Sequence, residues 1–307
     1  MQLTVLFSTH NGAGVLPEVL AAYAAQTCHD DWEMIVVNNA STDATAACLD
    51  SFAGRLPLTV VDHPVAGKNA ALNAALPLLK GSTVIVTDDD AVPAPRFLDQ
   101  WARVAREQPD YDLFGGRIEP LFQASPPSWM VEARFHFAEI FAACDHDEGP
   151  IRARDIFGPN MAVRRTVFDR GITFNESIGP NGSDRNYPMG SETEFCQRVE
   201  EHGHKAWFAT GPRVRHIVRP HQLGTPFWTS RAYRHGLGVG LQERIAADQT
   251  SRPLVQRVTS LARGKLKQAR HYSAYSLARG DELKAHEGLW NYHWHRGYTD
   301  AKTRAQL

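Results

Sequence analysis

The first ninety residues of this chain alternate between short β-branched runs and segments with helical periodicity. No polar residue interrupts the apolar centre of these runs, as is usual for strands buried on both faces of a sheet. The four runs are LTVLFS (3–8), EMIVVN (33–38), LTVVD (58–62) and TVIVT (83–87). Helical patterns follow at residues 15–23, within NASTDATAACLDSF (39–52) and at residues 70–79, where Pro77 predicts a distorted last turn. This order predicts a parallel α/β sheet built from right-handed βαβ units, with helices on both faces.

Polar residues follow each strand run, and in such sheets ligands bind beyond the carboxyl ends of the strands. We therefore expect these side chains to converge on one crevice. They are Thr9, His10 and Asn11, then Asn38 and Asn39, then Asp62 and His63, and last Asp88, Asp89 and Asp90.

The acidic run in TDDDAVPAP (87–95) places three like charges in succession, which repel unless water or a shared cation surrounds them. Asp88 and Asp90 are separated by one residue, so both carboxylates can turn to one side of an extended backbone and bind a hard divalent cation. A solvated turn, or the cap of a helix starting near Pro95, is the alternative interpretation.

After residue 112 the pattern changes to mixed strands and helices, with strands expected in KAWFA (205–209) and RVRHIV (213–218). In MGSETEFCQRV, Ser191 is expected to cap a helix whose first turn carries Glu192 and Glu194. The Gly- and Pro-rich stretch GPNGSDRNYPMG before it is typical of a loop that carries a site. His216 is either a metal ligand or a packed core residue.

Composition excludes several classes of protein. A formal net charge of −1 and a pI near 6.9 give no reason to expect a nucleic-acid partner. The four cysteines form no CxxC pair, and no signal peptide or spanning helix is evident, which predicts a cytoplasmic location with reduced thiols. Lys68 follows a glycine at a helix start and can meet phosphate, but neither a P-loop nor a GxGxxG motif is present.

From Thr225 onward the sequence is typical of helices, with one basic and one aromatic cluster. These clusters form either an interfacial surface that meets a membrane peripherally or a solvated face and a core. The basic residues are Arg257, Arg263, Lys265, Lys267 and Arg270, and the aromatic residues are Trp290, Tyr292, Trp294 and Tyr298.

Several segments, in order, resemble the motifs of family-2 glycosyltransferases. VLFSTHNGAGVLPEVLAAYAAQT is similar to that family's strand, P-T-Y-N and helix ending in Q-T, and IVVNNASTDAT to its V-D-N-x-S-T-D-x-T. GKNAALNAAL resembles G-x-x-x-A-x-N-x-G, and TDDDAVPAPRFL resembles D-x-D followed by P-x-x-L. FGPNMAVRR resembles the acceptor-side G-N-x-A-x-R-R, and GSETEFCQRV the catalytic helix E-D-x-E-F-x-x-R. The resemblance covers about residues 3 to 220.

The resemblance implies a GT-A fold, in which a Rossmann-like nucleotide-binding sheet is followed by mixed acceptor-side strands and, here, a helical C-terminal extension. It also implies a bound Mn²⁺ or Mg²⁺, a nucleotide-sugar donor and inversion at the anomeric carbon. We expect a glycosyltransferase domain over 1–222, with a donor half (1–110) and an acceptor half (111–222), and a helical region over 223–307.

Carried over by position, the resemblance gives roles to individual residues. Asp90 and His216 would bind the metal, and Glu192 would take the proton of the acceptor hydroxyl, with Glu194 as the rival base. Asn160 and Glu194 would lie on the acceptor side. The donor-binding set would comprise Thr9, Asn11, Asn38, Lys68, Asp88 and Asp89. This chain departs from the family by placing Asn38 and Ser191 at positions of acidic residues.

We therefore expect transfer from a UDP-sugar to a saccharide or lipid-linked acceptor, in the assembly of surface polysaccharide or glycolipid. Two alternatives stay open. A nucleotidyltransferase would need an Arg-rich loop after the first strand, which HNGAG does not provide. A non-catalytic nucleotide-sugar binding protein would explain Asn38 and Ser191, but not the retained Asp88, Asp90 and Glu192.

Overall fold

The computed structural model describes residues 2–182, 186–248, 254–278 and 280–303. The strands are β1 (Leu3–Thr9), β2 (Trp32–Asn39), β3 (Leu58–His63), β4 (Thr83–Val86), β5 (Ala91–Pro93), β6 (Leu113–Phe122), β7 (Gly149–Ile151), β8 (Met161–Arg164) and β9 (Ala206–Val218). The helices are α1 (Leu16–Ala24), α2 (Thr45–Asp50), α3 (Lys68–Ala75), α4 (Phe97–Glu107), α5 (Ser128–Glu132), α6 (Phe137–Phe141), α7 (Arg165–Asp169), α8 (Ser191–Glu201), α9 (Thr225–Asp248), α10 (Leu254–Leu277) and α11 (Glu282–Thr303).

The chain divides into two compact units, which are described separately. The sheet unit comprises Met1–Leu121, Ala142–Ser183 and Ser191–Ile217. The helical unit comprises Phe122–Phe141, Asp184–Gly190 and Val218–Leu307.

In the sheet unit, the strands follow the order β3-β2-β1-β4-β8-β6-β9-β5, and β7 pairs with β9. The first four are parallel to one another, and the pairs β4–β8, β6–β8 and β5–β9 are antiparallel. The predicted parallel α/β sheet is therefore confirmed for the first ninety residues, and the predicted mixed strands follow it.

Helices cover both faces of this sheet, because alternate side chains of each strand point to opposite sides. Val5 and Phe7 pack in a core with α1 and α4, whereas Leu6 packs in a second core with α3, α7 and α8. The last turn before β4 is a 3₁₀ turn over Leu76–Leu78, as Pro77 predicted.

One expectation about the strands was wrong. KAWFA and RVRHIV form a single strand, β9, of 13 residues, although Gly211 and Pro212 lie between them. The strand continues because its neighbours pair along it on both sides of this dipeptide. β7 pairs with Ala206–Phe208 and β5 pairs with Val214–His216.

Asp43 rather than a hydroxyl residue meets the start of α2. The helix begins at Thr45, so neither Ser41 nor Thr42 caps it. Asp43 accepts a hydrogen bond from the backbone N–H of Thr45 at 3.0 Å, and its carboxylate lies at the positive end of the helix. The Ser41 hydroxyl instead accepts a hydrogen bond from the backbone N–H of Asn11 at 3.0 Å.

The helical unit is built on α9 and α11, which pack together, and α10 packs on α11. Glycines permit the close approach of α9 and α11. A Cβ added at Gly236 would lie 2.0 Å from the carbonyl oxygen of Trp294, and one at Gly297 would lie 1.9 Å from that of Tyr233. Within the described part of the chain, no helix is both long enough and apolar enough to cross a bilayer.

Stacked rings attach the segment carrying α5 and α6 to α11. Trp129 stacks on His286 with ring centroids 3.8 Å apart, and His136 stacks on Trp290 at 4.1 Å. Trp290 is 2% exposed, so this member of the aromatic cluster belongs to the core.

Candidate functional site

The structure brings Asp88, Asp90 and His216 together at the carboxyl end of β4. One ligating atom of each residue lies within 4.8 Å of the others, and Asp90 Oδ1 is 3.1 Å from His216 Nε2. Antiparallel pairing explains the meeting, because β5 follows Asp90 directly and Ala91 is the register partner of His216 on β9. Sheet register therefore joins residues that are more than a hundred positions apart in the sequence.

These three side chains fit a divalent cation. Ligands on opposite sides of an octahedral Mg²⁺ lie about 4.2 Å apart, so side-chain adjustments of well under 1 Å would suffice. Two carboxylates are hard oxygen ligands, and the imidazole adds a nitrogen ligand that transition metals favour. The side chains of Asp90 and His216 are 13% and 11% exposed, so the group is shielded but accessible.

Asp89, between the two candidate ligands, has a different partner. Its Oδ2 accepts a hydrogen bond from the Thr9 hydroxyl at 2.5 Å, which joins the loop after β4 to the end of β1. A Cβ added at Gly12 would lie 2.1 Å from Thr9 Oγ1 and 2.9 Å from this carboxylate, so only glycine fits there. Asp88 and Asp90 therefore belong to the candidate cation group, whereas Asp89 contacts Thr9.

Lys68 joins the acidic group to the catalytic helix predicted from the sequence. Its Nζ lies 2.7 Å from Asp88 Oδ1 and 2.6 Å from Glu192 Oε1. Lys68 is the first residue of α3, and its backbone N–H donates to the carbonyl of Pro180 at 2.9 Å. The loop before α8 is therefore fixed against the start of α3.

Sequence reasoning missed the asparagines that hold this loop. Asn69 Nδ2 donates to the carbonyls of Asn175 and Ile178 at 2.6 and 3.0 Å, and Asn73 Nδ2 donates to that of Phe174 at 2.8 Å. Both asparagines lie in GKNAALNAAL, where their spacing of four residues, which puts them on one face of α3, was the available signal.

The Lys68–Glu192 pair shifts the pKa of both groups. Burial alone would raise the pKa of the Glu192 carboxyl, but the charge of Lys68 and the hydrogen bonds from Lys68 and Ser191 lower it to about 2. Burial disfavours the charged form of Lys68, yet Asp88 and Glu192 together raise the pKa of its ammonium above its ordinary value. Both groups are therefore ionised at neutral pH.

Backbone and hydroxyl contacts orient Glu192. Ser191 is the first residue of α8 rather than the residue before it, and its hydroxyl donates to Glu192 Oε2 at 2.8 Å. A Cβ added at Gly158 would lie 2.7 Å from Glu192 Cγ, so glycine is needed where the two meet. The sequence did not single out Gly158, although it lies in the FGPNMAVRR stretch.

Glu194 and Asn160 are not part of this cluster. Glu194 is two residues beyond Glu192, which places it roughly 200° around the helix. Its oxygens lie 2.6 and 3.1 Å from Nε and Nη2 of Arg198, a bidentate ion pair. Asn160 is fully buried, and its amide nitrogen donates to the carbonyls of Arg117 and Pro212 at 2.9 and 3.1 Å.

Of the remaining predicted donor residues, Asn11 lies in the loop after β1 and Asn38 lies at the end of β2. Asn11, in a left-handed conformation with φ of 54°, accepts a hydrogen bond on Oδ1 from the backbone N–H of Thr42 at 2.8 Å. Asn38 Nδ2 donates to Asp62 Oδ1 at 2.9 Å. A carboxylate is thus present beside Asn38, but it comes from the neighbouring strand β3.

A curated protein with sequence similarity is dodecaprenyl-phosphate galacturonate synthase of Rhizobium johnstonii, which is 29% identical over 151 residues. The match covers 47% of this chain and 44% of that protein. The chain spans less than half the length of the curated relatives it matches.

Two solved structures share the fold at low sequence identity. Residues 1–349 of S. aureus TarS in complex with UDP match with a TM-score of 0.57 and 16% identity, over 96% of this chain and 90% of that one. Mannosyltransferase PcManGT of Pyrobaculum calidifontis, in complex with GDP-Man and Mn²⁺, matches with a TM-score of 0.59 and 17% identity, over 96% and 86%. The fold is therefore of the GT-A type. The model of the family described as glycosyl transferase family 2 matches residues 4–172, more than half of the 307 residues, and the chain belongs to that family.

Proposed function

We propose that this chain transfers a sugar from a nucleotide diphosphate sugar to a lipid-linked acceptor. The observation that carries the proposal is the cluster of Asp88, Asp90, His216, Lys68 and Glu192 at the carboxyl ends of the parallel strands. A diphosphate leaving group needs positive charge, and an acceptor needs a nearby group to handle its proton. The similarity to dodecaprenyl-phosphate galacturonate synthase supports an acceptor of the lipid-phosphate class.

In this proposal Asp88, Asp90 and His216 hold a divalent cation. When bound, the cation would supply positive charge to the departing diphosphate. We favour Mn²⁺ over Mg²⁺, because Mg²⁺ has little preference for imidazole nitrogen. The neighbour that was solved with GDP-Man and Mn²⁺ is consistent with this choice.

Lys68 is proposed to change partners when the donor enters. It now shares its charge between Asp88 and Glu192. A donor diphosphate near Lys68 would attract the ammonium through the same charge-assisted hydrogen bonds. The pull of Lys68 on Glu192 would then weaken, and the pKa of Glu192 would rise from about 2 towards its ordinary range.

The role of Glu192 depends on the attacking atom. A hydroxyl has a pKa far above 7, so Glu192 would take its proton as general base. A lipid phosphate monoester, with a second pKa near 6, already carries a reactive oxyanion at neutral pH and needs no base. We further propose a single displacement with inversion at the anomeric carbon, which NMR of the product linkage would test.

The donor is proposed to be a UDP-sugar. Support comes from the fold neighbour solved with UDP, whereas the neighbour with GDP-Man supports the competing nucleotide. In this chain the base would meet the Asn38–Asp62 pair instead of a single aspartate on β2.

Calorimetric titration with UDP, GDP and CDP, each with Mn²⁺ and again with EDTA, tests this proposal directly. Metal-dependent binding of UDP alone is the expected result. Binding of GDP alone would overturn the nucleotide assignment, and turnover of a sugar phosphate with UTP would favour a nucleotidyltransferase. Metal-dependent binding without transfer to any lipid phosphate or saccharide would favour a non-catalytic binding protein.

We also propose that α10 rests on an anionic membrane surface. Residues 249–280 contain no acidic residue and seven basic ones. Among the described side chains, Leu266 and Leu277 are 73% and 78% exposed and lie on one helix face together with the exposed Arg270. Arg263, Lys265 and Lys267 are exposed as well, while the side chain of Arg257 lies outside the described residues. Exposed leucines beside basic residues are typical of interfacial helices.

Co-sedimentation with phosphatidylglycerol vesicles, compared with phosphatidylcholine vesicles, tests the membrane contact. The doubly substituted Leu266→Gln, Leu277→Gln protein should lose most binding to the anionic vesicles, and added salt should weaken what remains. Leu283→Gln on α11, which removes a leucine 36% exposed, is the matched control and should bind normally. Retention of nucleic acid with no vesicle binding would overturn this assignment.

A further inference from the structure

Arg234 on α9 is a mostly buried cation with no carboxylate partner among the described residues. The residue is 8% exposed, and its Nε is buried without a hydrogen-bond partner. Its guanidinium lies over the ring of Tyr187, whose centroid is 4.6 Å from the guanidinium carbon. No carboxylate within the described ranges lies at ion-pair distance from it. Burying an unpaired charge is costly, and a bound anion would offset that cost.

A polar cavity of about 250 Å³ lies in the same unit. Its polar lining is Asn186, Thr229, Ser230, Tyr233, His293 and Arg296. Amide, hydroxyl and guanidinium groups all donate hydrogen bonds, and no carboxylate is among the lining residues, although the Tyr233 hydroxyl donates to Asp300 Oδ2 at 3.0 Å. The cavity is smaller than the 300–1,000 Å³ typical of drug-sized ligands, which suits a phosphate group with part of its substituent.

Arg234 does not itself line the cavity, but two residues close to it in the structure do. Ser230, which lines the cavity, precedes Arg234 by one helical turn on the same face of α9. Asn186, which also lines it, immediately precedes Tyr187, whose ring Arg234 covers. The backbone N–H of Met189 donates to the carbonyl of Arg234 at 3.1 Å, so this short segment is fixed to α9.

We propose that this part of the helical unit is a phosphate-binding site, in which Arg296 lines the cavity and Arg234, next to two lining residues, is a second cation that reaches the anion. Guanidinium groups bind tetrahedral oxyanions through paired N–H donors, and the Ser230 hydroxyl and Asn186 amide add donors suited to the remaining oxygens. The ligand is proposed to be the phosphate of the lipid-linked acceptor, and this identification rests on the proposed function. Asp88, Asp90 and His216 are not involved.

Direct binding to the full chain tests the proposal without any turnover. Geranyl phosphate, inorganic phosphate and geraniol are titrated calorimetrically in the absence of a nucleotide sugar. We expect geranyl phosphate to bind, inorganic phosphate to bind more weakly, and geraniol to show no binding. Arg234→Met should weaken geranyl phosphate binding by about tenfold or more, the scale of a lost charged hydrogen bond. Arg234→Lys should retain part of the affinity, because it keeps the charge but not the fork of donors.

Thermal unfolding separates a ligand-binding role from a structural one. Because Arg234 is buried and unpaired, Arg234→Met should raise the melting temperature of the ligand-free protein by about 2–4 °C. Arg244→Met is the matched control on the same helix. Arg244 Nη1 donates to the carbonyl of Ala301 at 3.0 Å, so its loss should lower the melting temperature and leave phosphate binding unchanged.

Two outcomes would overturn the inference. Normal geranyl phosphate binding by Arg234→Met, or a lower melting temperature of that variant, would assign Arg234 a structural role. Equal affinity for inorganic and geranyl phosphate would overturn the lipid assignment in favour of free phosphate. Metal-dependent UDP binding is measured in parallel, so a failed donor assignment is distinguishable from a failed phosphate site.

Discussion

The two units differ in whether a buried cation has a carboxylate partner. In the sheet unit, Lys68 lies between Asp88 and Glu192, and Glu194 is paired with Arg198. In the helical unit, Arg234 is buried with no carboxylate partner among the residues that the structure describes. A paired cation such as Lys68 can exchange a carboxylate for a ligand, whereas Arg234 would gain its first anionic partner when a ligand binds. Our proposals accordingly give donor binding to the first unit and anion binding to the second.

The largest expected effects come from substituting one glycine in each unit. Gly236→Ala should destabilise the helical unit by about 3 kcal/mol, because its Cβ would lie 2.0 Å from the carbonyl oxygen of Trp294. Gly158→Ala would meet the flexible Cγ of Glu192 instead, so it should impair transfer more than stability. Urea unfolding and transfer assays of both variants check this, with Gly224→Ala as a tolerated control.

Glu192→Gln separates the two classes of acceptor. With a hydroxyl acceptor, turnover should fall about a hundredfold or more, while UDP binding stays intact. With a lipid phosphate acceptor, the loss should be much smaller, because the nucleophile is already ionised. Glu194→Gln is the control, since Arg198 engages that carboxylate. If Glu194→Gln lost hydroxyl transfer while Glu192→Gln kept it, the assignment of the base would be reversed.

Asp90→Asn should weaken metal-dependent donor binding by about tenfold to a hundredfold and leave metal-independent binding unchanged. The reason is loss of one charged ligand from the group with Asp88 and His216. Titration of UDP with Mn²⁺ and with EDTA measures the difference. Asp89→Asn is the comparison, because Asp89 contacts Thr9. An Asp90→Asn protein with unchanged Mn²⁺ dependence would remove Asp90 from the site.

The smallest effect is a pH dependence in the helical unit. His136 lies between Glu139 and Glu287, and although burial opposes protonation, these carboxylates raise the pKa of its imidazole to about 9. Because the folded-state pKa lies above the ordinary value of 6.5, the stabilisation is complete below pH 6.5 and lost as pH rises through 9.

We expect wild type to lose about 1–2 kcal/mol more than His136→Gln between pH 6 and pH 9.5. Urea unfolding at the two pH values measures this difference. Parallel losses in the two proteins would show that His136 does not titrate as inferred.

The sequence predicted the sheet unit well because its rules are local. Buried β-branched runs, helical spacing and the carboxyl-end rule were sufficient to place Thr9, Asn38 and Asp88 at one edge of the sheet. Local pattern could not show that β9 continues through Gly211 and Pro212, because the continuity of a strand depends on its partners elsewhere in the sheet. Local pattern also could not show that Glu192 meets Lys68 while Glu194 pairs with Arg198, because the first of these contacts joins distant segments.

The sequence by itself determined the fold class, the family and the acidic group at the end of β4, because periodicity and short motifs are properties of neighbouring residues. Only the tertiary structure decided that His216 meets Asp90, that Lys68 joins Asp88 to Glu192, and that Arg234 is buried with no carboxylate partner in the described part of the chain. Each of these depends on strand register or helix packing between distant segments, and ion pairing and desolvation act through distances in space rather than in sequence.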